Sequence, residues 1–300
     1  MNYTHQMVIV RIFVIAVLTL SANALWGQSA KTIQFFQTDW GRTISWDTFC
    51  EKTASAGYDG IEIWFPKSKE DEQKLKEALQ RHGLKVAFLN GTNKNITFKE
   101  SLRAYTDHLK KLVTWAPAYI NCHTGSDFFT FEQNKAFIDA ANAIAKEHQI
   151  PIYHETHRGR FSFNLPDTQT YLTQIPDLQL NLDISHWMVV HESLLERQDD
   201  LLTTIIERSG HLHARVGHPE GPQVNDPEAP EWKKAVDRHL DIWEKIIRHR
   251  WKTNHTFTLT TEFGPAGYMP TLPFTQVPVA DQWKANVYMM KIIKERLQTE

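Results

Sequence analysis

Residues 118–155 read AYINCHTGSDFFTFEQNKAFIDAANAIAKEHQIPIYHE. The two ends of this stretch, 118–123 and 150–155, are short, mostly apolar segments that finish on polar residues. Nearly continuous apolarity of that length marks a strand covered on both faces, as in a parallel sheet. Between the two, Phe137, Ile138, Ala141, Ile144 and Ala145 fall on one face of a helix. Strand, helix, strand is the unit from which parallel sheets are built. In both directions along the chain the unit recurs. Further strand candidates are 32–37, 60–65, 85–90, 178–183, 211–216 and 257–262. Further helical stripes are Leu102, Tyr105, Leu109, Leu112 and Val113; Trp232, Val236, Leu240, Trp243 and Ile247; and Trp283, Val287, Met290, Ile293 and Leu297. The charged run 67–76 reads as the solvated face of another helix. Eight strand–helix units over residues 29–300 predict an α/β chain folded as a (β/α)8 TIM barrel, a single domain. An open doubly wound sheet would carry a glycine-rich phosphate turn after its first strand. Gln37-Thr38-Asp39-Trp40-Gly41 is no such turn.

The chain outside the barrel reads differently. Residues 12–20 are apolar except for Thr19, with Arg11 before them and the small residues Ala22, Ala24, Gly27, Ser29 and Ala30 after. Charge, short apolar core and small-residue exit is the order of a secretory signal peptide, here residues 1–28. The run is short for a membrane span. The expectation is an exported protein, periplasmic or secreted, with no stable membrane insertion once the signal is removed.

The composition is that of a globular protein: 300 residues, 41% hydrophobic, 11% aromatic and 23% charged. It excludes a disordered chain, a collagen-like repeat and a disulfide-stapled miniprotein. Lys+Arg is 33 and Asp+Glu 35, a net charge of −2. Loss of residues 1–28 takes Arg11 with it and makes the balance slightly more acidic. That argues against nucleic acid as a partner. Cys50 and Cys122 lie 72 positions apart, one on an outer helix and one on a strand, so neither a disulfide nor a metal knuckle is expected.

In a barrel of this kind, function collects at the C-terminal ends of the strands. Those ends carry Asn121-Cys122-His123, His154-Glu155-Thr156-His157-Arg158, Asp183-Ile184-Ser185-His186-Trp187, His211-Leu212-His213 and Glu262-Phe263-Gly264. Glu155, Asp183, His213 and Glu262 would converge on one point near the barrel axis. Three crowded carboxylates repel one another unless a cation neutralises them. A divalent metal held by three carboxylates and one imidazole satisfies the set. Oxygen-rich ligation favours manganese or magnesium, while the imidazole admits zinc or cobalt. His211 and His213 point the same way along one strand, so one of the two orients or packs rather than ligates.

These segments, 154–160, 182–187, 210–213 and 260–265, resemble the xylose-isomerase-like superfamily of sugar isomerases and epimerases. The closer resemblance is to its ketose 3-epimerases, inosose dehydratases and related exported proteins, and it covers nearly the whole chain after residue 28. It implies that Glu155, Asp183, His213 and Glu262 are the metal ligands, with manganese first among the cations. It implies that Glu155 and Glu262 are the catalytic pair, taking and returning a proton next to a carbonyl. His186 corresponds to a histidine that touches substrate hydroxyls. Two departures concern the substrate. A second glutamate six residues after the first ligand is replaced by Phe161, and an arginine six residues after the ligand histidine by Pro219, with Arg215 nearer.

The resemblance implies a small carbohydrate substrate and an isomerase or epimerase. A metal-dependent lyase or dehydratase on keto-glycosides or inososes shares the first step. An abasic-site endonuclease, a non-catalytic carbohydrate-binding protein and a homo-oligomer are the remaining readings. Substrate-binding candidates are His186, His123, His157, Arg158, Arg215 and Trp64. For His123 the alternative is a backbone hydrogen bond, and for Trp64 a place in the core. His157 and Arg158 are expected to face solvent, and Arg158 or Arg160 either to meet an acidic substrate group or to hold Asp183 or Glu262. The proline-rich segments 217–230 and 264–280 are expected to shape the pocket, with Tyr268 and Phe274 covering a sugar ring.

Overall fold

The computed structural model describes residues 31–298. Eight strands run β1 (Thr32–Thr38), β2 (Gly60–Trp64), β3 (Lys85–Gly91), β4 (Ile120–His123), β5 (Ile152–Glu155), β6 (Leu180–Leu182), β7 (Ser209–Ala214) and β8 (Thr256–Thr261). Every neighbour is parallel, and β1 closes on β8 through six residue pairs, from Thr32↔Thr256 to Gln37↔Thr261. The result is the (β/α)8 TIM barrel. The outer helices are α1 (Trp46–Ser55), α2 (Lys69–His82), α3 (Phe98–Val113), α4 (Phe131–His148), α5 (Leu165–Gln174), α6 (Ile184–Val190), α7 (Asp199–Arg208), α8 (Lys233–Arg250) and α9 (Gln282–Gln298). The export segment expected at residues 1–28 lies outside the described residues. Among the described residues no helix is long and apolar enough to cross a membrane.

All eight expected strands form, with shifted ends that have local causes. Strand β5 starts after Pro151, which has no N–H to give a ladder. Strand β6 stops at Leu182 because Asp183 turns the chain into α6, its side chain accepting from Ser185 N. Two helices, α6 and α7, therefore occupy the β6–β7 crossover where one was expected. Helices α3 and α4 each begin with a capping box, Thr97 with Glu100 and Thr130 with Gln133, which satisfies N–H groups the first turn leaves open. Cys50 and Cys122 are buried and free.

The outer face of the sheet is apolar, as expected. Ile61, Ile63, Phe88, Ile120, Cys122 and Ile152 pack with Leu75, Leu109, Leu112 and Phe137 of the helices. The inner face is not apolar throughout, which corrects the reading of strands buried in hydrophobic surroundings on both sides. Among the described residues a small plug of Phe36, Ala87, Tyr119 and Tyr153 fills the interior apolarly, with Leu89 above it at the cleft. Alternation with period two then places Glu62, Asn121, Glu155, Asn181, His213 and Thr260 inside the barrel, all buried. Buried polar groups need partners. Tyr119 OH meets Thr260 Oγ1 at 2.8 Å, and His211 Nδ1 meets Thr258 Oγ1 at 2.8 Å. This polar interior carries the candidate site at its upper end.

Candidate metal centre

Glu155 is the last residue of β5, Asp183 follows β6, His213 lies near the end of β7 and Glu262 follows β8. The barrel brings the four together: one ligand atom from each lies within 4.8 Å of the others, and all four are buried. His213 is the hub. Its Nδ1 is 2.8 Å from Glu262 Oε2 and 3.6 Å from Glu155 Oε2. Its Nε2 is 2.8 Å from Glu62 Oε1, a carboxylate beneath it on β2. His211 sits one layer lower, between Thr258 and Thr260, with Nε2 3.7 Å from Glu62 Oε2. Of the two β7 histidines, His213 therefore faces the cluster and His211 supports it from below.

Each carboxylate has its own surroundings. Glu155 Oε2 accepts from Asn121 Nδ2 at 2.6 Å and lies 2.8 Å from His123 Nε2. Burial would raise its pKa, yet His123 and His213 beside it outweigh burial and hold it well below the usual carboxylate range. Asp183 Oδ1 accepts from Ser185 N and from Ser185 Oγ at 2.5 Å, and Oδ2 pairs with Arg215 Nη2. Burial pushes Asp183 up to about 6 in spite of Arg215. Burial alone would drive His213 neutral, but Glu262, Glu62 and Glu155 around it hold its pKa well above the ordinary value.

The donor set fits a divalent cation. His213 Nδ1 and Glu262 Oε2 are buried without an aligned hydrogen-bond partner although they face each other. Such a pair faces a shared position that a cation, displacing the Nδ1 proton, would satisfy. Three carboxylates in one small cluster face the single guanidinium of Arg215, so negative charge is left for a cation to balance.

Above the four lies a cleft of about 220 Å³, lined by Thr38, Asp39, Trp40, Trp64, Leu89, His123, Glu155, His157, Arg215, Glu262 and Tyr268. A larger cavity, about 580 Å³, opens at the opposite end among the strand starts and holds none of these groups. Of the substrate-binding candidates, Trp64, His123, His157 and Arg215 line the cleft. His186 and Arg158 lie behind it. His157 faces solvent only in part: it lines the cleft half-buried, its ring 3.9 Å from that of His186 and 5.0 Å from that of His123. Arg158 does not hold Asp183 or Glu262 either. Its Nε donates to His186 Nδ1 at 3.0 Å and its Nη2 to Tyr268 OH at 3.3 Å, while Arg160 reaches Thr92 O. Arg215 takes the holding role instead, meeting Asp183, Glu262 at 3.6 Å and His186 Nε2 at 2.9 Å. A neutral imidazole accepts at one nitrogen only, so one of the two guanidinium contacts on His186 is not a hydrogen bond. Trp64 is 48% exposed, at the cleft mouth and not in the core. Tyr268 lines the cleft, but Phe274 is fully exposed and takes no part.

Glu62, Asp39, Trp40 and Thr38 were not among the expected site residues. Glu62 could have been found from the register that places it inward two residues before Trp64. Asp39 and Trp40 sit on the turn after β1, where periodicity says nothing.

Residues 50–248 match the family of xylose isomerase-like TIM barrels. Similar solved structures include 3-keto-D-glucoside 4-epimerase from E. coli, 15% identical over 88% of this chain and 99% of that one, with TM-score 0.60. The probable 3-DHS dehydratase from Bacillus anthracis is 15% identical over 87% and 98%, with TM-score 0.57. Endonuclease IV from Thermus thermophilus is 13% identical over 90% and 100%, with TM-score 0.54. Identities this low show a shared fold alone. No curated protein matches the sequence significantly. The family match spans well over half of the chain, which therefore belongs to the xylose isomerase-like TIM barrels.

Proposed function

We propose that this protein is a divalent-metal-dependent sugar isomerase or epimerase that removes a proton from the carbon next to a carbonyl. The observation that carries the reading is the buried cluster of Glu155, Asp183, His213 and Glu262 at the floor of a small cleft. A cation held by these four, manganese first by its liking for oxygen donors with one imidazole, supplies Lewis acidity to a carbonyl and its neighbouring hydroxyl. Glu262 Oε2, which has no aligned donor, takes the C–H proton. Glu155 Oε2, across His213, delivers a second proton that it receives from His123 Nε2 2.8 Å away, while Glu262 keeps the one it took and afterwards gives it up to solvent. Delivery to the other face of the same carbon is epimerisation; delivery to the adjacent carbon is isomerisation. His186 is buried between Arg158 and Arg215 behind the cleft, so the proposed contact for substrate hydroxyls is His157, which lines the cleft with its ring 3.9 Å from that of His186.

A cleft of about 220 Å³ floored by carboxylates suits a small neutral sugar better than a phosphodiester strand. Residues 1–28 are assigned as an export signal, which would place the activity in a periplasm or outside the cell. The test is incubation of manganese-loaded protein with ketoses, keto-glycosides and inososes in deuterated water, read by NMR. Deuterium is expected at one carbon next to the carbonyl of the true substrate class, and Glu262→Gln should abolish it. Absence of exchange in every class, with manganese bound, would rule the reading out.

A further inference from the structure

Two tryptophans stand exposed at the cleft mouth, Trp40 at 37% and Trp64 at 48%. Each is seated on a glycine. A Cβ at Gly264 would come within 2.5 Å of the Trp40 ring, and one at Gly91 within 3.0 Å of the Trp64 ring. Bare backbone is what lets the indoles lie there. The seats are themselves fixed. Gln223 pairs with both backbone groups of Gly264, and Gln282 Nε2 donates to Trp40 O at 2.7 Å. Tyr268 meets Trp40 edge-on at 4.9 Å, and His123 meets Trp64 edge-on at 5.6 Å. Rings held in place yet left open to solvent at a cleft are a stacking surface awaiting an apolar face.

Trp64 also divides two spaces. On its far side a groove of about 460 Å³ runs toward the start of α2, lined by Trp46, Lys67, Ser68, Glu70 and Lys74. Its charges are of both signs, so it selects no ionic group and offers hydrogen bonds to hydroxyls. Asp39 lines both the groove and the central cleft. Burial pushes its carboxyl up to about 7 against the pull of Arg42, so near neutral pH it can both donate and accept.

We propose that the substrate is a two-ring glycoside, with the reacting ring in the central cleft, the second ring stacked on Trp64 in the adjoining groove, and Asp39 facing the bond between them. This rests on the sugar reading above and narrows it from free sugars to glycosides. The test compares keto derivatives of methyl and of 4-nitrophenyl glucosides, galactosides and xylosides, each with one ring hydroxyl oxidised to a carbonyl, titrated calorimetrically into manganese-supplemented protein. At least one nitrophenyl glycoside is expected to bind about tenfold tighter than its methyl counterpart. Trp64→Ala should collapse that ratio to about one, and Trp64→Phe should restore most of it, since a ring is what stacking needs. Equal binding of both forms to the wild type, or a ratio that survives Trp64→Ala, overturns the two-ring site and leaves the sugar reading standing. Failure of every sugar in either form to bind overturns both.

Discussion

At the scale of single residues, Glu62 decides which nitrogen His213 presents. With Glu62 Oε1 2.8 Å from Nε2, the ring turns Nδ1 toward Glu262 and Glu155, and a cation binding there would displace the Nδ1 proton while Glu62 faces the other nitrogen. A carboxylate behind a ligating imidazole both orients it and raises its basicity. Glu62→Gln keeps the shape and removes the charge. The expected result is manganese affinity lowered about 10- to 100-fold by calorimetry, with the fold unchanged by circular dichroism. An unchanged affinity would mean that the cation does not sit on His213. The meeting of Glu155, Asp183, His213 and Glu262 was legible from the sequence, because each occupies a strand end and strand ends of a barrel share one rim. Glu62 was not read as part of the site because it lies mid-strand in a run that reads as plain apolar strand, and Arg215 was read as a substrate contact and not as the partner of Asp183 because that partner is 32 residues away.

Elements are held to the site by a few buried polar contacts. Helix α8 is tied to the segment after β7 by His239, whose Nδ1 donates to Ala235 O at 2.7 Å and whose Nε2 accepts from Gly217 N at 3.1 Å. A Cβ on Gly217 would come within 2.8 Å of Ser185, the residue that caps Asp183, so this contact sits directly behind the cluster. Burial lowers the His239 pKa from 6.5 to about 4. The unfolded chain then binds more protons than the folded one between those values, so stability falls as pH drops through that window. The loss from this residue is on the order of 3 kcal/mol by the bottom of it. His239→Gln can keep an acceptor for Gly217 but does not titrate. Its urea midpoint should therefore fall less between pH 6.5 and pH 4 than the wild type's. Parallel loss in both proteins would show that His239 is not the group responsible. The turn after β4 is equally particular. Gly125 has φ +64°, and a Cβ there would meet Asn134 Oδ1 at 2.0 Å. Gly125→Ala should cost about 1–3 kcal/mol in urea denaturation. Neither constraint was legible beforehand, because a histidine on a helix face and a glycine in a loop have meaning only once their neighbours are placed. The strands and the four helical stripes were legible, because periodicity records burial directly.

For the whole molecule, closing the barrel gathers charge. Pairing β1 with β8 puts Glu62, Glu155, Asp183 and Glu262 around one axis, answered by Arg215 and His213. Like charges held together in a buried place oppose folding unless something balances them. A cation that binds the folded barrel and not the unfolded chain must then raise the stability of the entire domain. At a free manganese concentration one hundred times Kd, the gain is about 2.7 kcal/mol. For a chain of this size that corresponds to a rise in Tm of roughly 5 °C or more. EDTA should reverse the rise, and sodium at matched ionic strength should not reproduce it. Removing one carboxylate should act twice. Glu155→Ala takes away a carboxylate that His123, His213 and Asn121 hold, so it is expected to melt lower than the wild type without metal and also to lose most of the manganese-induced rise. Thermal melts of the two proteins, each with manganese and with EDTA, check this. Equal shifts in wild type and variant would locate the cation elsewhere, because stabilisation through this cluster cannot survive the loss of a ligand that also shapes its charge.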